Sequence, residues 1–133
     1  MKLLHAAMLG ACVLALCACG SGGKAPAKVV ARKSASGRHA SATASFKFRL
    51  LSDLSVHVAA SPAQRVEGGW VISCGYGMFQ TSRESRDFVR RTPIDMDIPV
   101  DVTPGQGEAC ELVAVASLAR SGSVTVVLRG RQS

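Results

Sequence analysis

The chain has 133 residues, of which 47% are hydrophobic, and a formal net charge of +7 at pH 7. This length allows one small folded domain with a tail and leaves no room for a second domain of ordinary size. The positive charge is concentrated in residues 20–45, which hold five basic residues and no acid, whereas residues 46–133 hold ten basic residues and nine acids. Because the expected folded part is nearly neutral, we predict no nucleic-acid partner.

The first 18 residues have the composition of a secretory signal peptide. Lys2 is the only charged residue before Lys24, and the run from Leu3 to Ala18 is almost wholly apolar. This run is shorter than the roughly 20 residues that span a bilayer, and it ends in small residues without a basic stop-transfer cluster. We therefore predict that residues 1–18 are removed and do not remain as a membrane helix.

The stretch Leu16-Cys17-Ala18-Cys19 resembles the lipobox of bacterial lipoproteins. In that family the cysteine thiol receives diacylglycerol, and the new amino terminus is usually acylated. The resemblance covers residues 1–23 and implies that Cys19 carries the acyl chains of a membrane anchor. Gly20 stands where family members retained in the inner membrane tend to have Asp, which implies the outer membrane, on its periplasmic side. An ordinary signal peptide cleaved after Gly20 is the alternative.

Residues 19–45 are predicted to be the lipidated cysteine followed by a flexible basic linker. They are rich in Ala, Ser and Gly, and their only larger apolar side chains are Val29 and Val30. Such a segment buries too little apolar surface to offset its ordering entropy. Its basic side chains either keep the linker hydrated or attract anionic lipid headgroups beside the anchor. These basic residues are Lys24, Lys28, Arg32, Lys33 and Arg38.

Residues 46–133 are predicted to form an all-β domain, because apolar and polar residues alternate along most of this segment. The fold class that we expect is a small antiparallel β-sandwich of about six strands, immunoglobulin-like in architecture, and a small β-barrel is the alternative. The apolar positions are even-numbered within residues 46–58, 70–78 and 94–102, and two further strands are predicted over residues 110–119 and 124–129.

The last two predicted strands are expected to form a hairpin. The three residues Arg120-Ser121-Gly122 would be its loop, with Gly122 in the left-handed conformation. This register places Leu118 opposite Val124, so the loop chemistry and the apolar pattern agree.

Cys74 and Cys110 are the two cysteines that remain after the signal peptide is removed and Cys19 is lipidated. In an oxidising compartment we predict one disulfide between them. A redox or nucleophilic thiol is the alternative, and the absence of a C-x-x-C motif argues against it. Two cysteines and two histidines without ligand-type spacing predict no metal and no cofactor.

The most charged segment of the domain is residues 83–91, which carries four arginines and two acids. It interrupts the strand pattern, so we expect residues 80–92 to form a short helical turn or an ordinary loop. Arginine and aromatic residues are enriched at protein interfaces, and the segment is therefore the predicted partner-binding site, with a solvated loop as the alternative. Its candidate residues are Arg83, Arg86, Phe88, Arg90 and Arg91.

Acidic side chains with catalytic potential are few. Asp95, Asp97 and Asp101 alternate along one predicted strand, either as its solvent face or as a carboxylate cluster for calcium or acid–base chemistry. His57 lies alone on another predicted strand. We therefore predict no catalytic residue and no enzyme, and expect a lipid-anchored accessory lipoprotein that binds an envelope protein or polymer. A structural subunit of a secretion or pilus assembly and a small envelope enzyme are the alternatives.

Overall fold

A computed structural model describes residues 26–49, 51–99 and 108–132 of the chain. Within these residues there is no helix, and thus none that is long and apolar enough to cross a membrane. The predicted signal peptide, Cys19, Lys24 and Asp101 lie outside the described residues. Eight strands are present: β1 (Lys28–Gly37), β2 (Ser41–Phe48), β3 (Leu51–Ser61), β4 (Arg65–Tyr76), β5 (Phe79–Arg91), β6 (Ile94–Asp97), β7 (Ala109–Leu118) and β8 (Gly122–Gln132).

The strands form two antiparallel four-stranded sheets. The β8 sheet has the order β1-β8-β3-β6, and the β7 sheet has the order β2-β7-β4-β5. The sheets face each other and are not closed into a barrel, so the predicted all-β antiparallel sandwich is confirmed. Only β4 and β5 are neighbours both in sequence and in a sheet, and every other connection crosses between the sheets. This strand order is that of a jelly roll, whereas immunoglobulin domains arrange their strands differently.

The predicted hairpin between the last two strands is wrong. β7 pairs with β2 and β4, whereas β8 pairs with β1 and β3 in the opposite sheet. The prediction failed because the alternation of apolar and polar residues is the same in two strands that face one core from opposite sheets as in two strands of a hairpin. Gly122 has a positive φ of 157°, which residues with a side chain rarely adopt, and a Cβ there would lie 2.7 Å from the carbonyl oxygen of Ser61.

β1 and most of β2 lie before residue 46 and belong to the sandwich, so the predicted boundary at residue 46 is wrong and residues 28–45 are not a flexible linker. β1 is an edge strand whose register with β8 runs from Lys28 opposite Gly130 to Gly37 opposite Gly122. β2 is one of the two edge strands of the other sheet and buries Ala42 and Ala44. Small Ala and Ser side chains give a weak hydropathy signal, but hydrogen bonds to a neighbouring strand order the backbone regardless of side-chain size.

The core lies between the two sheets and is built from alternate residues of the central strands. The even-numbered residues of β7 and β8 point inward, as the alternation predicts. Trp70 is the largest side chain of the core and is 2% exposed. Tyr76 and Met78, which the pattern placed on the same inward face as Trp70, are exposed because β4 ends beside them. The central inward residues are Leu112, Ala114, Ala116, Leu118, Val124, Val126 and Leu128.

Residues 79–91 form strand β5 and neither a helical turn nor a loop. β5 pairs with β4 from Tyr76 opposite Phe79 to Arg65 opposite Arg91. It is an edge strand of the β7 sheet, so most of its side chains are exposed on both faces and the apolar alternation is hidden by charged residues.

The predicted disulfide between Cys74 and Cys110 is present. The two cysteines stand opposite each other on β4 and β7, with their Cα atoms 4.0 Å apart. The bridge therefore joins neighbouring strands of one sheet, whereas the disulfide of antibody domains joins the two sheets.

Candidate binding surface at the loop end

The two ends of the sandwich are formed by different connections of the chain. The entry end is where the described chain enters the domain at Lys28, and it also holds the β2–β3 and β4–β5 turns and the end of β8. The opposite end, called the loop end, holds the β1–β2, β3–β4, β5–β6 and β7–β8 connections. Loops carried on a rigid sandwich are a common place for binding residues.

Gln64 is a buried polar residue at the centre of the loop end and is 1% exposed. Its side-chain amide donates hydrogen bonds to the carbonyl oxygens of Pro62 (3.4 Å) and Ser121 (3.3 Å). Its side-chain oxygen accepts a hydrogen bond of 2.9 Å from the backbone N–H of Arg120. A buried amide must be satisfied within the protein, and Gln64 meets this need by joining the β3–β4 and β7–β8 connections.

The backbone of Gln64 also holds Thr92 in the β5–β6 connection. The N–H of Thr92 donates to the Gln64 carbonyl oxygen at 3.0 Å, and the Thr92 hydroxyl donates to the same oxygen at 3.2 Å. The N–H of Gln64 in turn donates to the Thr92 hydroxyl oxygen at 3.2 Å. These two are the buried polar residues of the described chain, and together they fix three of the four connections at the loop end.

Exposed arginines surround this network, and we call them the loop arginines. The four connections contain no Asp or Glu, and within the described residues neither ion pair of the structure involves a loop arginine. Glu67 lines the same hollow as Arg65 and Ala119, so the loop end has one acid close to its five arginines. It therefore presents net positive charge on an ordered backbone, which favours an anionic partner. The loop arginines are Arg38, Arg65, Arg90, Arg91 and Arg120.

The partner-binding residues predicted from the sequence do not form one surface. Phe88 is 5% exposed and packs in the core, so it cannot serve as the expected exposed contact. Arg83 lies on the outer face of the sheet towards the entry end, opposite the residue before Cys74, and Arg86 lies on the inner side of the edge strand. Arg90 and Arg91 alone reach the loop end.

The structure brings together two residues that the sequence left apart. His57 Nδ1 and Asp95 Oδ1 are 2.6 Å apart across the pair β3–β6, on the outer face of the β8 sheet. Asp97 stands one row further along, opposite Ser55. A carboxylate that orients an imidazole is one part of a nucleophilic or acid–base site. Within the described residues no hydrogen bond joins a hydroxyl or thiol to His57, and no group of three or more His, Cys, Asp and Glu could hold a metal.

Sequence reasoning missed Gln64 and the loop arginines outside β5. A glutamine after a proline and an alanine reads as an ordinary turn residue, and nothing local marks it as buried. An arginine in or beside each turn becomes a pattern only after the strands have been paired. No protein-family model matches the chain, and no curated protein matches it.

Proposed function

We propose that the protein is a lipid-anchored accessory lipoprotein on the periplasmic side of the outer membrane, and that it binds an acidic envelope protein through the loop end. One observation carries this proposal. The hydrogen-bond network of Gln64 and Thr92 fixes three of the four connections at the end of the domain away from the chain entry, and the loop arginines lie in or close to these four connections.

The order of these connections in the free protein favours binding. Loops that are already fixed lose less conformational entropy when a partner docks. Arginine suits the recognition of carboxylates, because its planar guanidinium can donate two parallel hydrogen bonds. Arginines in or close to several separate connections form a broad surface, which favours a folded acidic partner over a single extended chain.

The position of the proposed anchor agrees with this arrangement. Cys19 precedes Lys28 by nine residues, which span at most about 31 Å when fully extended. The entry end therefore stays close to the membrane if Cys19 carries lipid. Strands of about ten residues rise roughly 30 Å, so the loop end lies farther out in the periplasm. Acyl chains contribute about 0.8 kcal/mol per buried methylene, and more than one chain is needed for stable anchoring.

Photo-cross-linking in living cells tests the binding surface. A photoreactive residue at Ala63 or Ala119, both exposed at the loop end, should capture the same envelope protein, whereas one at Ser85 on the outer face of β5 should not. The capture should weaken when Arg65 and Arg120 are changed to Ala. Capture from Ser85 and not from the loop end would contradict the proposal. If the loop end captured a polymer, the partner would be an envelope polymer and not an acidic protein.

The anchor is tested separately. The mass of the amino-terminal peptide should show diacylglycerol and an acyl chain on Cys19, and Cys19→Ser should release the protein into the periplasmic fraction. An unmodified residue 19 or an uncleaved leader would contradict the anchor but leave the binding surface open. Elution of the extracted protein as part of a large stable assembly would favour a structural subunit instead.

A further inference from the structure

Exposed large apolar side chains are concentrated at the entry end. Met78 is 98% exposed and Phe79 is 78% exposed, and Tyr76 and Val29 at the same end are about half exposed. Among the described residues, Val89 is the one other large apolar side chain with comparable exposure. Scattered exposed apolar residues are ordinary, but a cluster at one end of a small domain marks a contact surface.

The two most exposed side chains form the tip of the β4–β5 hairpin, which is held away from the core. Gly77 adopts a left-handed φ of 54° in the turn. At the base of the hairpin, the Cys74–Cys110 disulfide fastens β4 to β7. The disulfide therefore fixes the base from which the tip projects. Within the described residues, Met78 and Phe79 do not pack onto the core.

Basic residues and an apolar groove lie at the same end. The groove has a volume of about 380 Å³, with apolar walls and a basic rim. Lys47 also lines the hollow beneath the hairpin tip, together with Glu111, its partner across the β2–β7 pair. Apolar side chains next to cationic ones are typical of protein segments that settle at the interface of an anionic bilayer. The walls include Phe46, Phe48 and Leu51, and the rim consists of Lys28, Lys47 and Arg49.

We propose that the entry end is a second membrane contact, with Met78 and Phe79 inserted at the interface of an anionic lipid bilayer and Lys28, Lys47 and Arg49 lying over the headgroups. The orientation rests on the proposed anchor, because Cys19 precedes Lys28 by nine residues and thereby keeps this end near the bilayer. A second contact fixes the domain upright, and the loop arginines then face away from the membrane.

Quenching by brominated lipids tests the contact. The protein purified from membranes is reconstituted in vesicles of phosphatidylethanolamine and phosphatidylglycerol, with Phe79→Trp and Val89→Trp as matched variants. Both positions are exposed on β5, but only Phe79 is at the tip. The native Trp70 is buried and gives the same background in both. We expect brominated acyl chains to cause a roughly twofold greater loss of emission for Phe79→Trp, with a shift to shorter wavelength.

Equal quenching of the two variants would overturn the proposal. So would capture of an envelope protein, without any lipid adduct, by a photoreactive residue at position 78 in cells. The mass of the Cys19 peptide is measured on the same preparation, so failure of the anchor is seen independently of failure of the tip. A chain with both Met78→Ser and Phe79→Ser should unfold at the same midpoint as the unsubstituted protein, because both side chains are exposed. The domain of this variant should dissociate from the bilayer surface faster.

Discussion

The ring of Phe88 lies over Gly68, its partner across the β4–β5 ladder. A Cβ on Gly68 would come within 2.8 Å of Phe88 Cζ and 2.0 Å of the Val115 carbonyl oxygen. The missing side chain of one strand thus makes room for the aromatic ring of the next. Phe88, which the sequence predicted to be an exposed docking residue of a charged loop, is therefore a core residue of the edge strand β5.

Truncation of this ring should destabilise the domain strongly. We expect Phe88→Ala to lower the free energy of unfolding by about 3–5 kcal/mol, and Gly68→Ala to lower it by at least about 1–3 kcal/mol through overpacking. Urea denaturation measures both. The neighbouring Val89→Ala is the control and should change stability by less than about 0.5 kcal/mol. Equal effects at positions 88 and 89 would refute the burial of Phe88.

The domain boundary can be tested by truncation. A chain that starts at residue 26 should fold, because it keeps both edge strands β1 and β2. A chain that starts at residue 46 loses β1 and most of β2, which uncovers one edge of β8 and one edge of β7. We expect this shorter chain to lack cooperative unfolding and dispersed amide resonances. A sharp melting transition of the shorter chain would support the domain boundary at residue 46 that the sequence predicted.

Removal of the Gln64 side-chain amide should loosen the loop end. Gln64→Leu keeps the size of the side chain but leaves the Arg120 N–H and the Ser121 carbonyl oxygen without their partner. We expect a loss of about 3 kcal/mol in stability, faster hydrogen exchange at the Arg120 amide and weaker partner capture. Gln80→Leu is the matched control because Gln80 is exposed, and a comparable loss there would show that the effect is not specific to the network.

Reduction of the disulfide should lower stability without changing the fold. The bridge spans a sequence separation of 36 residues, and the loop-entropy model then assigns it about 4 kcal/mol. Urea midpoints with and without dithiothreitol measure this difference. A chain with both Cys74→Ala and Cys110→Ala should unfold at the midpoint of the reduced protein and should not respond to the reductant.

The pair His57 and Asp95 is expected to contribute little to stability, because the Asp95 side chain is 72% exposed. Exposed ion pairs contribute about 1 kcal/mol or less, so we expect Asp95→Asn to shift the unfolding midpoint only slightly, and Asp97→Asn to do the same. If His57→Ala and Asp95→Asn abolish a cellular phenotype while Asp97→Asn preserves it, and all three remain folded, the enzyme alternative gains direct support.

Local sequence determined which face of most strands is buried. Leu54, Val56 and Val58 alternate with polar residues, and all three point into the core, because successive side chains of a strand point to opposite sides. The disulfide was also predictable, since only Cys74 and Cys110 remain once the first three cysteines are assigned to the leader and the lipid.

Tertiary structure decided which strands are neighbours and hence where the candidate site lies. Alternation marks the buried face of β7 and β8 but carries no information about which sheet each strand joins. The small residues of β1 and β2 are ordered by the strands beside them. Gln64 meets Thr92 and Ser121, and His57 meets Asp95, only through pairings between distant segments. The physical reason is that side-chain periodicity is a local property, whereas backbone pairing and the burial of polar groups depend on the whole chain.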